Sequence, residues 1–287
     1  MKHPAAESTT VRRAQPVADG RDSRPEPAEA ATGRARRPWW RHPAVVRAVA
    51  GLLILVIWQV VVETSGKNYV TRPTGVITVI PSVLTEHLFL SDVGTTLTAV
   101  IEGLAMATVI GTALGLLVGR LPDVRRILGM YVNGVYAMPI IAVVPLLTVW
   151  FGYTPTARLV VIVLEASLPV IYNVAEGART VPRTYLEVTR IHRAPWWRVW
   201  FGVVLPASLP YVLAGIDLAI GRALIGAVVA EFIASINGLG YYILFNVNSF
   251  HEDRAIVALI VLALFAIVLR ALVSLVIRRA LVWYRPV

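Results

Sequence analysis

The chain contains no cysteine, only two lysines and few charges of any kind. Without cysteine there is no disulfide framework, no thiolate metal site and no cysteine nucleophile. The lysines are Lys2 and Lys67, and Lys67 is followed by Asn68. A P-loop needs Gly-Lys followed by Ser or Thr, and the glycine-flanked run "GRALIG" at 221–226 does not supply one either. The chain therefore cannot hydrolyse ATP by that route; if it pumps, the energy comes from another polypeptide or an ion gradient. Spaced histidines are also missing. The string "HED" at 251–253 has no second histidine at ligand spacing and reads as a solvated outer loop beside Arg254. His192 lies among arginines, which disfavours a metal there, so neither metal nor cofactor is expected.

Charged residues make up 15% of the 287 and hydrophobic residues 57%. Soluble domains carry about 25% charged residues, so the balance leans toward a membrane. The net charge of +10 does not indicate a nucleic-acid partner, because the basic residues fall between long apolar runs rather than on one soluble surface. Residues 1–40 are rich in Pro, Ala, Glu and Arg, with almost nothing to bury. They are expected to form a disordered tail. They do not read as a cleavable signal, since the first apolar run begins too far along.

A bilayer core takes about 20 apolar residues per helix. Six stretches fit, at 44–62, 97–118, 127–150, 159–175, 203–230 and 255–277, and the fold class is an all-α membrane bundle within 41–287. The fourth is the weakest, being short and carrying Glu165. Residues 76–90, interrupted by Pro81, are expected as a surface helix at the interface. With the amino terminus inside, the inner connections hold 21 Lys and Arg and the outer ones 4. That asymmetry predicts both termini on the cytoplasmic side.

Gly103, Ala107, Gly111, Gly115 and Gly119 recur every four residues in the second span. They make a groove for a close helix, either within the chain or in a second copy. Pro139, Pro145, Pro169, Pro206 and Pro210 interrupt the later spans, which favours a bundle that moves or encloses a path. Glu102, Glu165, Asp217 and Arg222 lie within spans and Glu231 at the outer end of the fifth. Each must face protein or a wet cavity. They line a solute path or pair to hold helices together. Asp217 and Arg222, five apart, do not share a helix face well, so a contact between them is not expected.

The stretch at 187–210, "EVTRIHRAPWWRVWFGVVLPASLP", carries three arginines, a histidine and three tryptophans inside an oily chain. The loop at 177–202 is far longer than a simple connection needs. It reads as a short helix, a break at Pro195, and a second helix returning to the membrane with Trp196 and Trp200 on one face. These residues resemble the EAA loop of bacterial ABC importer permeases, Glu-Ala-Ala, three residues, Gly, then about nine to Ile-x-Leu-Pro. Glu187 matches the Glu, Val188 and Thr189 replace the alanines, and "VVLP" at 203–206 matches the end. Arg193 stands at the turn glycine, so Ala194-Pro195 is expected to impose the bend by another route. "MPIIAVVPLLTVWFGYTPTARLVVI" and "ASLPYVLAGIDLAIGRALIGAVVAEF" followed by "NGLGYYI" are similar to the branch importing nitrate, sulfonates, taurine and related small anions.

The resemblance covers most of residues 70–277. It implies a homodimer of permeases in the bacterial inner membrane, in contact with lipid, with two P-loop ATPase subunits inside and an extracytoplasmic solute-binding protein. It also implies that the loop seats in the ATPase, with Glu187, Val188, Thr189, Arg190, Arg193 and Pro195 as the coupling residues. Glu165, Asp217, Arg222 and Glu231 remain as pathway or helix-pairing residues. A different class, a secondary transporter or channel working through Glu165, Asp217 and Arg222, predicts inverted repeats. The two halves show no convincing similarity.

Overall fold

The computed structural model describes residues 43–65 and 71–280; the tail expected at 1–40 lies outside them. By internal contacts the chain divides into residues 1–52 and 53–287. The described part of the first is the start of helix α1 (Pro43–Ser65). The second holds the remainder: α2 (Pro73–Thr85), α3 (His87–Arg120), α4 (Pro122–Ala137), α5 (Val144–Phe151), α6 (Pro155–Thr180), α7 (Arg183–Ile191), α8 (Trp196–Val199), α9 (Leu205–Ala234), α10 (Leu239–Asn248) and α11 (Glu252–Ala280). Among the described residues five helices are long and apolar enough to cross a membrane, or six if one bent pair is a single span.

The expected third span is that bent pair. α4 and the segment containing α5 meet at 88° around Met138 and Pro139. Proline cannot donate to the helix and pushes the residue before it out of the helical region, which here is Met138 at ψ 137°. The interface helix also differs from expectation. Pro81 sits inside α2 without breaking it, and the break falls at Glu86, so residues 87–90 belong to α3. α3 is 34 residues long, roughly 51 Å at 1.5 Å per residue.

The helix that looked weakest by sequence is the central one. α6 has the lowest mean hydropathy of the five spans, 1.7, and the largest buried share, 56%. A helix wrapped by other helices needs small side chains and close contact more than oiliness. The four-residue glycine repeat of α3 faces α6 of the same chain, so this groove is an intrachain seam. A Cβ at Gly103 would lie 2.3 Å from Ile162, at Gly111 2.7 Å from Val170, at Gly115 2.7 Å from Val174 and at Gly119 2.3 Å from the Ala175 carbonyl. The matched numbers rise together, so α3 and α6 run parallel. On the other side of α6, Gly215 meets Val170 and Gly226 meets Ile162, an antiparallel register.

Two neighbouring parallel helices require the chain to return between them. The return is α4 and α5, which therefore act together as one crossing despite their bend. The core follows from this arrangement: Val100, Leu104, Ala107, Ile162, Ala166, Val170, Val174, Ala219, Ala223 and Ala227 are buried along the two seams.

Candidate functional site

At one end of the bundle α6 leads through Val181-Pro182 into α7, a nine-residue helix with Leu186 as its buried anchor. Glu187, Val188 and Arg190 are exposed, and Thr189 is half-buried, its hydroxyl donating to the Leu186 carbonyl at 2.7 Å. Glu187 makes no ion pair within 4.0 Å among the described residues. The turn that follows is a Schellman motif: the Ala194 N–H donates to the Thr189 carbonyl at 2.9 Å and the Arg193 N–H to the Arg190 carbonyl at 3.0 Å. Arg193 takes the left-handed conformation itself, at φ 47°. The bend is thus made by Arg193 and not imposed by Ala194-Pro195, a correction to the sequence reading. Pro195 then starts α8 rather than ending α7.

α8 runs without a stop into α9 through one wide turn at Trp200–Val204, where the Leu205 N–H reaches the Trp200 carbonyl. Pro206 has no N–H to offer the carbonyl four residues back, which favours such a turn. Trp196 and Trp197 are exposed, with the Arg198 guanidinium 5.1 Å from the Trp197 ring centre. Trp196 and Trp200 share one apolar groove against α3 of about 610 Å³, beside Val109 and Leu116. Val188 and Thr189, where the EAA pattern has alanines, line a separate cavity of about 690 Å³ with Tyr185, Pro206 and Tyr211.

The charges within the spans, Glu102 apart, sort into pairs. Arg222 of α9 approaches Glu165 of α6 at 3.5 Å; the Glu165 side chain is 5% exposed and that of Arg222 51%. Pro169 follows Glu165 by four residues, so the Glu165 carbonyl also lacks its helical donor. Asp217 does not meet Arg222; it accepts from Arg270 of α11. Glu102 is exposed near the middle of α3, because that helix starts earlier than expected, and it has no ion-pair partner among the described residues.

Glu231 is the most enclosed acid. Its carboxylate accepts from the Thr96 hydroxyl at 2.8 Å, Arg158 at 3.1 Å and the Gly240 N–H at 2.7 Å. Arg158 also donates to the Asn237 carbonyl, and the Leu239 N–H donates to the Thr96 hydroxyl. The "NGLG" turn can close this tightly only as glycine: Gly238 stands at φ 154°, and a Cβ there would sit 2.3 Å from the Glu231 carboxylate. Glu231 is therefore a clasp joining α3, α6, α9 and α10. Sequence reasoning missed Arg158, Thr96 and the turn. The signal was available, since a buried acid requires donors and "NGLG" follows Glu231 closely.

Nearby, Arg254 donates to Glu86 at 3.1 Å and the Tyr242 hydroxyl to the same oxygen at 3.4 Å. Burial, with the Glu86 carboxylate beside it, pushes the Tyr242 phenol above its ordinary value, which keeps it protonated as a donor. Arg254 is therefore tied down, while His251 next to it stays exposed.

Residues 107–282 match the family model of the binding-protein-dependent transport system inner membrane component. The chain belongs to that family. Within it, the permease is 30% identical to a Bacillus subtilis protein named for aliphatic sulfonates transport, over 88% of this chain and 90% of that one. It is 28% identical to the nitrate import permease protein of Leptolyngbya laminosa, over 82% of this chain and 87% of that one. It is 30% identical to the formylaminopyrimidine transport permease protein of Halalkalibacterium halodurans, over 67% and 76%. This permease is thus an ABC importer subunit of the nitrate and sulfonate branch, an inner-membrane transport component.

Proposed function

We propose that this permease forms half of the solute pathway of an ATP-driven importer for a small oxyanion, an aliphatic sulfonate, taurine or nitrate. A second copy completes the pathway, an extracytoplasmic binding protein delivers the solute, and two ATPase subunits act at the cytoplasmic end. Both termini lie on the cytoplasmic side, and lipid surrounds the assembled pair. The observation that carries this reading is Glu187, exposed and without an ion-pair partner among the described residues, on a helix that a Schellman turn and Pro195 hold at the end of the bundle. Val188, Thr189, Arg190, Arg193 and Pro195 shape that surface, and the ATPase receives it.

The second copy is supported by what one chain leaves open. Met130, Val149 and Trp150 are exposed on α4 and α5, and half of the Arg222 side chain is uncovered within a span. A charge there is costly against lipid, so this face of α9 borders a wet path. The sulfonate and nitrate names among the relatives support an oxyanion, though the formylaminopyrimidine name does not, and Arg222, held by Glu165, is the group that meets it.

The test is co-expression with a candidate ABC ATPase partner, followed by co-purification and ATP-driven uptake of labelled ethanesulfonate, taurine and nitrate in vesicles. Glu187→Ala is expected to lose the ATPase or to hydrolyse ATP without uptake, since truncating a charge buried at an interface costs about 2–5 kcal/mol. Arg222→Gln should keep the ATPase and lower uptake at least tenfold. Full assembly and uptake in Glu187→Ala would sink the coupling role.

A further inference from the structure

Not all arginines at the α7 end have acids beside them. Arg126 has Asp123 at 3.9 Å and Arg179 has Glu176 at 2.9 Å, each one turn away on its own helix. Arg120, Arg183 and Arg190 have no ion-pair partner among the described residues. These three come from two elements and line one small pocket of about 260 Å³, together with Leu186 and Glu187.

The pocket follows from spacing. Positions 183, 186, 187 and 190 recur at three, four and seven residues, so they share one face of α7. That face meets the last residue of α3. Arg120 is fixed there by the end of the seam, where Gly119 abuts the Ala175 carbonyl, and it is half-buried. Leu186 forms an apolar floor. Three guanidinium groups bring fifteen N–H donors, five each, whose fork geometry matches carboxylate, sulfate or phosphate oxygens. Glu187 is the one acid in the lining, and it stays beyond 4.0 Å from each guanidinium.

We propose that this pocket is an oxyanion site, taking a sulfate-, sulfonate- or phosphate-like group, either free in the cytoplasm or at the head of an inner-leaflet phospholipid. Basic pockets between helices at the cytoplasmic face are suited to such headgroups. An anion seated there lies against Glu187 and biases its contact with the ATPase. That consequence rests on the coupling role proposed above; the binding does not.

The experiment uses the full-length permease without any ATPase. Sulfate is titrated calorimetrically into protein stripped of phospholipid, and protein in phosphatidylglycerol or phosphatidylcholine nanodiscs is analysed by native mass spectrometry. Saturable sulfate binding identifies a free anion, and selective retention of phosphatidylglycerol alone identifies the lipid. Whichever ligand binds should be weakened at least tenfold in Arg120→Gln/Arg183→Gln and unchanged in Arg126→Gln. Glu187→Gln should tighten it several-fold by removing the one negative group. Should the double variant melt early, Arg190→Gln, at an exposed position, serves in its place. Absence of both ligands from the wild type, or binding that persists undiminished in the arginine variants, overturns the site.

Discussion

The two ends of this permease treat charge in opposite ways. At the Glu231 end the charges close on themselves: Glu231 takes Thr96, Arg158 and Gly240, and Glu86 takes Arg254 and Tyr242. At the α7 end Glu187, Arg120, Arg183 and Arg190 gather in one pocket, and none of them has an ion-pair partner among the described residues. The difference separates two uses of the same residue types. A closed cluster holds helices in place, because its carboxylates are taken by donors of the same chain, even though the Arg158 Nε–H finds no acceptor among the described residues. An open one remains available to something outside the chain.

Four substitutions can break or sharpen this contrast, each measured as thermal unfolding of the purified permease. The largest loss is expected from Glu231→Ala, which strands the buried Arg158 guanidinium. Removing one partner of a buried pair costs about 3–5 kcal/mol. A melting temperature equal to wild type would mean the clasp contributes nothing. Gly115→Ala tests the seam between the two ends. Its Cβ would fall 2.7 Å from Val174 and 2.8 Å from the Ile171 carbonyl, and overpacking of this kind costs about 1–3 kcal/mol. An unchanged melt would show that α3 and α6 can part freely.

Arg193→Gly should act in the other direction, raising stability by about 1 kcal/mol, since a side chain in the left-handed region carries a penalty of that order. Destabilisation would mean the Arg193 side chain makes a contact worth more than the strain. The smallest effect belongs to Glu187→Ala, within about 0.5 kcal/mol, as for surface positions without partners. A large loss there would return Glu187 to the same class as Glu231 and remove the contrast.

Much of this architecture was legible in the sequence, and the exceptions have physical causes. Hydropathy located every crossing, because a bilayer core demands apolar length. It could not register the 88° bend at Met138-Pro139, since an average over a window holds no angle. It ranked the central helix last for a different reason, since α6 is surrounded by protein and its Glu165 is shielded. The four-residue glycine repeat announced a seam but not its partner; the partner lies 59 positions away in the case of Gly103 and Ile162. Asp217 was visible as a charge within a span, but its partner Arg270 stands 53 positions away, and only the fold could join them. At α7 the helix–break–helix was readable from Pro195 and the tryptophans. The left-handed Arg193 was not, because propensity argues against it.

The shared direction of α3 and α6 has a mechanical meaning. Their notches mesh at Gly103, Gly111, Gly115 and Gly119 with one constant offset, so neither rod can creep along the other without lifting every tooth at once. A stroke applied where Arg120 and Thr180 end the two rods is therefore expected to move Thr96 and Arg158, near their opposite ends, as parts of one body.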